Sequence, residues 1–318
     1  MKSFLKTLSI NAVLLVILFG IIELSVRIFI PQIQPPTTDD KLIKENVYGS
    51  TFGLKPNVKA RSMGHYFETD SLGFWKYPRN NESSAGWLLL GDSVTMGMGV
   101  DQDSTYAGQL AFAFDSLHII NPSLLGYASD DYANIFSRLS GNESLNINRV
   151  TLFWCLNDIY SKNIAVEGPK GLRGMGQFLS NFIYNHIYTY QWLKKIIFDR
   201  PKTYFLYDKQ FYSSENEQFE NAIRNLIEIK NTADSLDIRF DVIIMPYEYQ
   251  FRSNDTSPQN HLMEALSEKN IRFLSLFEIL NTNSNSSENL YLYGDGIHYS
   301  KLGHRMVFEQ LKSYYNEN

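Results

Sequence analysis

From residue 86 onward, short apolar runs alternate along the chain with segments whose apolar residues recur every three or four positions. The short runs predict buried strands at residues 87–90, 118–120, 150–154, 240–245 and 272–276. The helical spacing predicts helices at residues 105–116, 132–139 and 219–236, near 261–268, and after Ser300. Strands and helices that alternate in this way are typical of an α/β fold whose mainly parallel sheet is covered on both faces.

The N-terminus has a different pattern. An uncharged run from Thr7 to Ile22 follows two lysines, and Glu23 and Arg27 come after it at a spacing that lets them pair on a helix. This run predicts an uncleaved signal anchor, a transmembrane helix over residues 1–30, with the lysines on the cytoplasmic side. A cleaved signal peptide and a buried helix of a soluble protein are the alternatives, although no small-x-small cleavage site follows the run.

Two segments do not follow the alternation of strands and helices. Residues 31–80 begin with a proline-rich stretch at 31–38 and predict a linker and an irregular segment, with short strands near 47–52 and 64–69. Residues 161–218 are aromatic-rich and partly helical (178–198), which suggests an insertion over the active face of the main domain, itself assigned to residues 81–318. The parallel sheet predicts that this active face lies beyond the carboxyl ends of the strands.

Composition bears on which partners, disulfides and cofactors are expected. The 318 residues carry a net charge of -5 without a clustered basic face, so we expect no nucleic-acid partner. A single cysteine, Cys155, excludes an internal disulfide. The histidines at positions 65, 118, 186 and 261 show no ligand spacing, so neither a metal nor another cofactor is expected. The oligomeric state is left open.

Ser93 is the first candidate for chemistry. The apolar run Leu88–Leu90 ends abruptly in Gly91, Asp92 and Ser93, a pattern in which a buried strand delivers a hydroxyl to the edge of the sheet. Serine is a poor nucleophile unless a base lies within hydrogen-bond reach and a carboxylate orients that base. The same residues would also suit an ordinary turn that caps a helix.

Asp295 and His298 can supply these two groups. The Asp295-Gly296 turn lets the carboxylate fold back onto Nδ1 of His298, which leaves Nε2 free to face Ser93. An exposed Asp-Gly turn with a solvated histidine is the alternative. The joint occurrence of the nucleophile, the base and the acid, in this order, favours a serine hydrolase.

Gly126 and Asn157 also follow strands and are candidate donors to an oxyanion. Gly126 would offer its backbone N–H, and Asn157 its side-chain amide. Taken alone, each residue fits an ordinary turn better than a role as an oxyanion donor. Cys155 directly follows a buried strand without an adjacent base, so we assign it to packing.

Taken together, these blocks resemble the SGNH or GDSL-type hydrolases, over most of the chain from about residue 68. Gly91-Asp92-Ser93 matches the family's nucleophile turn, Gly126 its second block, and Asn157-Asp158 its third block, where Cys155 replaces the usual glycine. Asp295 to His298 matches the last block. The N-terminal span and Asp70-Ser71-Leu72-Gly73-Phe74 are similar to the bacterial membrane-anchored members.

The resemblance implies a flavodoxin-like fold and a Ser93-His298-Asp295 triad, with an oxyanion hole formed by Ser93, Gly126 and Asn157. We therefore expect an extracytoplasmic serine esterase, anchored in a membrane, that acts on an ester such as the O-acetyl groups of carbohydrate. Two alternatives remain: an O-acyltransferase on cell-surface polysaccharide and a non-catalytic carbohydrate-binding or assembly protein. Hydrolysis and transfer share the acyl-enzyme, so the sequence does not separate them.

Overall fold

The computed structural model describes residues 2–34, 40–77, 85–160, 182–183, 185–283 and 287–316. Its helices and strands are, in chain order, α1 (Lys2–Phe29), β1 (Ile43–Tyr48), β2 (Thr51–Leu54), β3 (Lys59–Ser62), β4 (His65–Glu68), β5 (Ala85–Leu90), α2 (Ser93–Met96), α3 (Tyr106–Ala113), β6 (Leu117–Ile120), α4 (Ser129–Ser140), β7 (Ile147–Trp154), α5 (Tyr188–Ile197), α6 (Arg200–Lys209), α7 (Glu217–Ser235), β8 (Arg239–Ile244), α8 (Glu248–Ser253), α9 (Ser257–Glu268), β9 (Arg272–Ser275), α10 (Phe277–Asn283) and α11 (Lys301–Asn316).

The central sheet has five parallel strands in the order β6-β5-β7-β8-β9. Leu88 of β5 pairs with Ile120 on one side and with Val150 on the other, and all three side chains are fully buried. This strand order is the flavodoxin-like one, in which the chain first moves one strand outward and then reverses direction. The predicted α/β fold with a parallel sheet is therefore confirmed.

The reversal of direction explains the layers. Because parallel crossovers are right-handed, the helix between β5 and β6 covers one face of the sheet, and the helices that follow β6, β7 and β8 cover the other. The observed packing agrees, since α3 lies against α11 and α4 lies against α7. A sheet covered on both faces explains why its strands are continuous apolar runs.

Residues 40–77 are more regular than the sequence predicts. They form two antiparallel hairpins, β1 with β2 and β3 with β4. The single strand predicted near residues 47–52 is wrong, because a turn at Gly49 and Ser50 divides it between β1 and β2. The strand predicted near 64–69 is found as β4.

The segment after these hairpins packs on the loop that follows β6. Trp75 Nε1 donates a 2.7 Å hydrogen bond to the carbonyl of Ser123, and Asn121 Nδ2 donates to the hydroxyl of Tyr77 at 2.9 Å. All four side chains are buried. The segment thus supports the carboxyl edge of the sheet on the β6 side.

The chain divides into two compact units, one from Met1–Pro36 and Glu167–Asp199 and the other from Thr37–Val166 and Arg200–Asn318. In the first unit, residues Phe4–Phe29 of α1 form a helix long and apolar enough to cross a membrane. The expected pair on this helix is present, with Arg27 Nε 2.8 Å from Glu23 Oε1. The structure thus contains a candidate membrane span.

The two irregular segments lie partly outside the described residues. Of the expected insertion 161–218, residues 161–181 are not described, α5 belongs to the first unit and α6 to the second. Residues 35–38 of the proline-rich stretch are not described either. The domain limits at residues 30 and 80 stay predictions.

Candidate active site

Three side chains from two distant parts of the sequence meet at the carboxyl edge of the sheet. His298 Nε2 lies 2.8 Å from Ser93 Oγ, and His298 Nδ1 lies 2.8 Å from Asp295 Oδ1. Because an ionised carboxylate only accepts, Nδ1 carries the hydrogen and Nε2 accepts the hydrogen of the Ser93 hydroxyl. The three groups form one continuous hydrogen-bonded chain.

Ser93 is presented by a tight turn after β5. Asp92 caps the single-turn helix α2, because its Oδ1 accepts the N–H of Val94 at 2.9 Å. Ser93 is the first residue of this helix, so its own N–H has no intrahelical acceptor. Its side chain and its N–H are therefore both presented at the same place.

Asp295 forms the turn that carries the histidine. Its Oδ1 accepts the N–H groups of Ile297 and His298 at 3.0 and 2.8 Å, in addition to its contact with the imidazole. Gly296 has a φ of +82°, a backbone conformation that favours glycine. One carboxylate therefore both stabilises the turn and orients the ring.

The electrostatics of this pair suit a general base. Burial raises the pKa of Asp295, but the charge and hydrogen bonds of His298, together with Arg200, outweigh it and hold this pKa well below its ordinary range. Burial lowers the pKa of His298, whereas Asp295 acts in the opposite direction and leaves the pKa above its usual 6.5. The carboxylate thus stabilises an imidazolium formed next to Ser93.

The start of α6 contacts the same turn. Arg200 Nη2 lies 3.6 Å from Asp295 Oδ2, and Pro201 occupies the space beside Gly296, where an added Cβ would lie 2.4 Å from the Pro201 Cβ. The sequence did not indicate this contact, because Arg200 falls within the segment expected to be an insertion. Its guanidinium adds positive charge beside the Asp295 carboxylate.

Asn157 lies close to Ser93, through a shared contact with Asp92. It belongs to the helical turn Leu156–Ile159 after β7, and its Nδ2 donates a 3.0 Å hydrogen bond to Asp92 Oδ2. The same oxygen lies 3.3 Å from Ser93 Oγ. Because a carboxylate cannot donate, the atom of Asn157 next to Asp92 and Ser93 must be the amide nitrogen and not the oxygen. One of its two hydrogens bonds to Asp92, and the second is available to a ligand.

Tyr247 and Asp208 hold Asn157 from behind. The Tyr247 hydroxyl accepts the N–H of Asn157 at 3.1 Å and lies 2.9 Å from Asn157 Oδ1 and 2.8 Å from Asp208 Oδ2. A hydroxyl has one hydrogen, so it donates to only one of these two oxygens at a time.

The protonation of Asp208 therefore affects Asn157. Burial raises the pKa of Asp208, against the lowering effect of its hydrogen bonds from Tyr160 and Tyr247. When Asp208 is protonated, it can donate to Tyr247, and Tyr247 can donate to Asn157. The sequence reasoning missed both residues. The available signal was weak: Tyr247 follows β8 at the same edge of the sheet, after Pro246.

Gly126 lies after β6, at the same edge. It is exposed, it has a φ of +81°, and an added Cβ would have no atom within 4 Å. Within the described part of the chain its N–H makes no hydrogen bond, so it is open to a ligand. Its part as an oxyanion donor stays a prediction.

Cys155 and Asp158 are buried beneath the loop that carries Asn157. Burial raises the pKa of the Cys155 thiol well above its ordinary value, so the side chain stays protonated and packs in the core. Asp158 Oδ2 accepts the N–H of Cys155 at 2.7 Å, and its Oδ1 accepts from the Tyr132 hydroxyl at 2.8 Å. Asp158 therefore supports the loop that carries Asn157.

His304 is also buried, near the turn that carries Ser93. Its Nδ1 accepts the N–H of Tyr106 at 3.3 Å, and burial together with the charge of His298 lowers its pKa to about 3. It therefore stays neutral and packs against Tyr106 and Tyr299. Across the described ranges, no group of three or more His, Cys, Asp or Glu side chains is arranged to hold a metal ion.

No family model and no curated protein matches the sequence. Solved structures are similar at low identity, among them a member of the lipolytic protein G-D-S-L family from Veillonella parvula, with 12% identity over 74% of this chain and 100% of that chain, and a TM-score of 0.45.

Two further structures are the psychrotrophic esterase EstA from Pseudoalteromonas (15% identity, 73% and 100% coverage, TM-score 0.42) and the lipase/acylhydrolase from Enterococcus faecalis (14% identity, 72% and 96% coverage, TM-score 0.39). In each case nearly all of the other protein is covered, together with about three quarters of this chain.

Proposed function

We propose that this chain is a serine ester hydrolase whose nucleophile is Ser93, whose general base is His298 and whose orienting acid is Asp295. The observation that carries the proposal is the hydrogen-bonded chain from Asp295 through His298 to Ser93, with both contacts at 2.8 Å. Such a chain activates a hydroxyl that is otherwise unreactive.

The geometry supports acyl transfer in two steps. Ser93 Oγ attacks the ester carbonyl carbon while its proton passes to His298 Nε2, and the carbonyl electron pair forms an oxyanion. When the oxyanion collapses, the bond to the alcohol oxygen breaks, and His298 returns the proton to that oxygen. Water then attacks the acyl-enzyme, its proton passes to His298, and the proton returns to Ser93 as the acid leaves.

In this proposal the oxyanion accepts from three donors: the N–H of Ser93, the N–H of Gly126 and the side-chain amide of Asn157. The support for Asn157 is the strongest, because Asp92 and Tyr247 fix its amide beside the nucleophile. Loss of one such donor typically raises the barrier by about 2.7 to 4 kcal/mol.

We further propose that α1 anchors the enzyme in a membrane. The unit that contains the central sheet, Thr37–Val166 and Arg200–Asn318 (the sheet unit), then lies outside the cytoplasm. Lys2 and Lys6 precede the apolar run, and lysines are enriched on the cytoplasmic side of spans. A cysteine at the exposed position Leu236 in intact cells should react with a membrane-impermeant maleimide, whereas the chain with only the buried Cys155 should not. Reaction only after lysis would place the unit in the cytoplasm.

Within this class, we propose O-acetyl groups of carbohydrate as the substrate, which fits the proposed location at a cell surface. The test is release of acetate from acetylated oligosaccharides and from p-nitrophenyl acetate by the full chain in detergent. Comparing free acetate with acetate transferred to an added sugar separates an esterase from an O-acyltransferase.

The control for this assay is a second serine in the same unit. Ser93→Ala should abolish turnover, while Ser71→Ala, at an exposed position in a turn, should retain it. If the folded wild type releases no acid from any ester and transfers no acyl group, a non-catalytic carbohydrate-binding protein becomes the better interpretation.

A further inference from the structure

Helix α5 exposes its apolar side chains more than its charged ones. The exposed fractions of Leu193, Ile196 and Ile197 are 42, 62 and 66%, whereas Lys194 and Lys195 are only partly exposed. A helix surrounded by water normally does the opposite. Its exposed apolar patch also includes Tyr190 and, directly after the helix, Phe198, with exposed fractions of 39 and 63%.

The patch occupies one side of the helix. Tyr190, Leu193 and Ile197 are spaced three and four residues apart, so they lie on the same face, and Ile196 extends that face. Lys195 lies on the opposite side of the helix, and Lys194 lies at the edge of the patch. The ten residues of α5 make a cylinder about 15 Å long with an apolar patch on one side and two lysines outside that patch.

The N-terminus of α5 is fixed to α1 by a charged residue within the apolar helix. Glu23 Oε2 accepts from the N–H and the hydroxyl of Thr189 at 2.9 and 2.8 Å, and Glu23 Oε1 accepts the N–H of Tyr188 at 3.0 Å. A carboxylate at a helix N-terminus meets N–H groups that have no intrahelical partner. Arg27 adds a 2.7 Å hydrogen bond to the carbonyl of His186 and lies over the Tyr188 ring.

The position of Glu23 along α1 sets the depth of this contact. From Thr7, where the uncharged run begins, the helix rises about 24 Å to Glu23 and about 30 Å to Arg27, the thickness of a bilayer's hydrocarbon core. A span that begins at Thr7 therefore reaches the far boundary of the hydrocarbon between Glu23 and Arg27. Because these two residues hold the start of α5, α5 begins next to this boundary.

We propose that α5 is a membrane-surface helix that lies in the interface of the same bilayer that α1 spans. Its apolar patch contacts the acyl chains and its lysines face the headgroups, as in other amphipathic helices that bind lipid surfaces. The inference rests on the membrane anchoring within the proposed function and is independent of the ester chemistry. The lipid surface is the chosen partner because α5 is attached to the apolar helix at its exit from the hydrocarbon.

The test uses the full chain in phosphatidylcholine–phosphatidylglycerol vesicles, with single cysteines that carry an environment-sensitive nitrobenzoxadiazole dye. Ile197→Cys and Leu193→Cys probe the patch, and Lys195→Cys is the matched control on the opposite side of the same helix. Val16→Cys reports the span, and Leu236→Cys reports an exposed apolar position in the sheet unit, with an exposed fraction of 47%. The parent chain, whose only cysteine is buried, gives the blank.

At positions 193 and 197 we expect blue-shifted emission, strong quenching by lipids that carry a doxyl group near the glycerol end, and several-fold weaker quenching by iodide than at 236. Position 195 should be quenched by iodide more than position 197. Position 16 should respond to doxyl groups near the methyl end of the acyl chain. Replacing Ile196 and Ile197 with serine should return a dye at Tyr190→Cys toward the behaviour of position 236.

Three results would overturn the proposal. Iodide quenching at 197 equal to that at 236 would place α5 in water. Protection from iodide without quenching by lipid would mean that protein, such as a second copy of the chain, covers the patch. A dye at position 16 that stays outside the bilayer would remove the span as well. Ester turnover in the same vesicles is read separately, so a failure of the chemistry is distinguishable from a failure of the membrane contact.

Discussion

The proposed site has a base side, formed by Asp295 and His298, and an oxyanion side, formed by Asn157, and the two are built in different ways. Asp295 and His298 are three residues apart, and Asp295 stabilises its own turn while it orients the ring. Asn157, in contrast, is held by Asp92 from one strand end and by Tyr247 from another, with Asp208 of α6 behind them. A local motif supplies the base, whereas only the assembled sheet supplies the oriented amide.

The two sides differ in how far they depend on residues that are distant in the sequence. The turn at residues 295–298 is held mainly by local contacts, above all by the bonds of the Asp295 side chain to the backbone of Ile297 and His298. The position of Asn157 depends on contacts that span 65 and 90 residues of sequence. Substitutions on the base side should therefore act directly on proton transfer, while those behind Asn157 should act through its orientation.

The largest effects are expected at the triad itself. Ser93→Ala and His298→Ala should each lower kcat by a factor of roughly 10⁴ or more, because proton transfer and nucleophilic attack are lost together. Asp295→Asn should cost roughly 10² to 10⁴, because the amide favours the wrong tautomer of His298. The check is steady-state hydrolysis of p-nitrophenyl acetate, with circular dichroism as the control for folding. Near wild-type turnover in a folded Ser93→Ala or His298→Ala variant would contradict the triad.

A smaller effect is expected at the oxyanion side. Asn157→Ala should lower kcat by roughly 10² to 10³ with little change in KM, because its amide acts on charge that develops in the transition state. Asn157→Asp is the paired variant, since it keeps the size and removes the donor. Equal loss in both would support the role of the amide, whereas an active Asn157→Asp enzyme would contradict it.

The network behind Asn157 should show an effect smaller again. Tyr247→Phe removes the hydroxyl that holds both the backbone and the side chain of Asn157, and we expect kcat to fall about tenfold, or about 1.4 kcal/mol. Asp208→Asn places a permanent donor where Asp208 donates only when it is protonated, and should leave kcat within about threefold of wild type because Tyr247 can then donate to Asn157. These changes should nearly vanish in an Asn157→Ala background, and full additivity in a double-mutant cycle would show that Tyr247 acts elsewhere.

The smallest effect concerns pH. His298 must be neutral to accept the Ser93 proton, so kcat/KM should rise with pH through a midpoint above 6.5, because the pKa of His298 is raised. The Asp295 charge raises this pKa and the Arg200 charge lowers it, so Asp295→Asn should move the midpoint down and Arg200→Gln should move it up. Lys202→Gln, a charge change two residues further along α6, is the control. Shifts of the opposite sign would contradict the assigned electrostatics.

Sequence patterns predict the base side well for a physical reason. An Asp-Gly turn three residues before a histidine contains nearly all the atoms that build its geometry. The five strands are equally readable, because a sheet covered on both faces requires continuous apolar runs such as Leu88–Leu90. The position of Ser93 at the edge of the sheet is readable for the same reason, since Ser93 follows one of these runs after Gly91 and Asp92; its role stays a proposal.

The unpredicted contacts involve residues whose partners are distant. Arg200 and Asp208 fall in a segment whose pattern suggested an insertion, yet α6 belongs to the sheet unit and contacts the triad turn and Tyr247. The strand predicted near residues 47–52 includes the turn at Gly49 and Ser50 because residues on both sides of the turn are β-formers. The contacts of Arg200 and Asp208 are set by tertiary packing, which the local pattern does not contain.

The central claim is that Ser93 is an activated nucleophile, and covalent labelling tests it most directly. The full chain in detergent is treated with a fluorophosphonate and digested, and the modified peptide is sequenced by mass spectrometry, with Ser93→Ala and Ser71→Ala treated in parallel. We expect one adduct, on Ser93, in the wild type and in Ser71→Ala, formed faster as pH rises through the pKa of His298, and no adduct in Ser93→Ala. An adduct on another residue, or an unlabelled wild type that is folded and accessible to the probe, would contradict it.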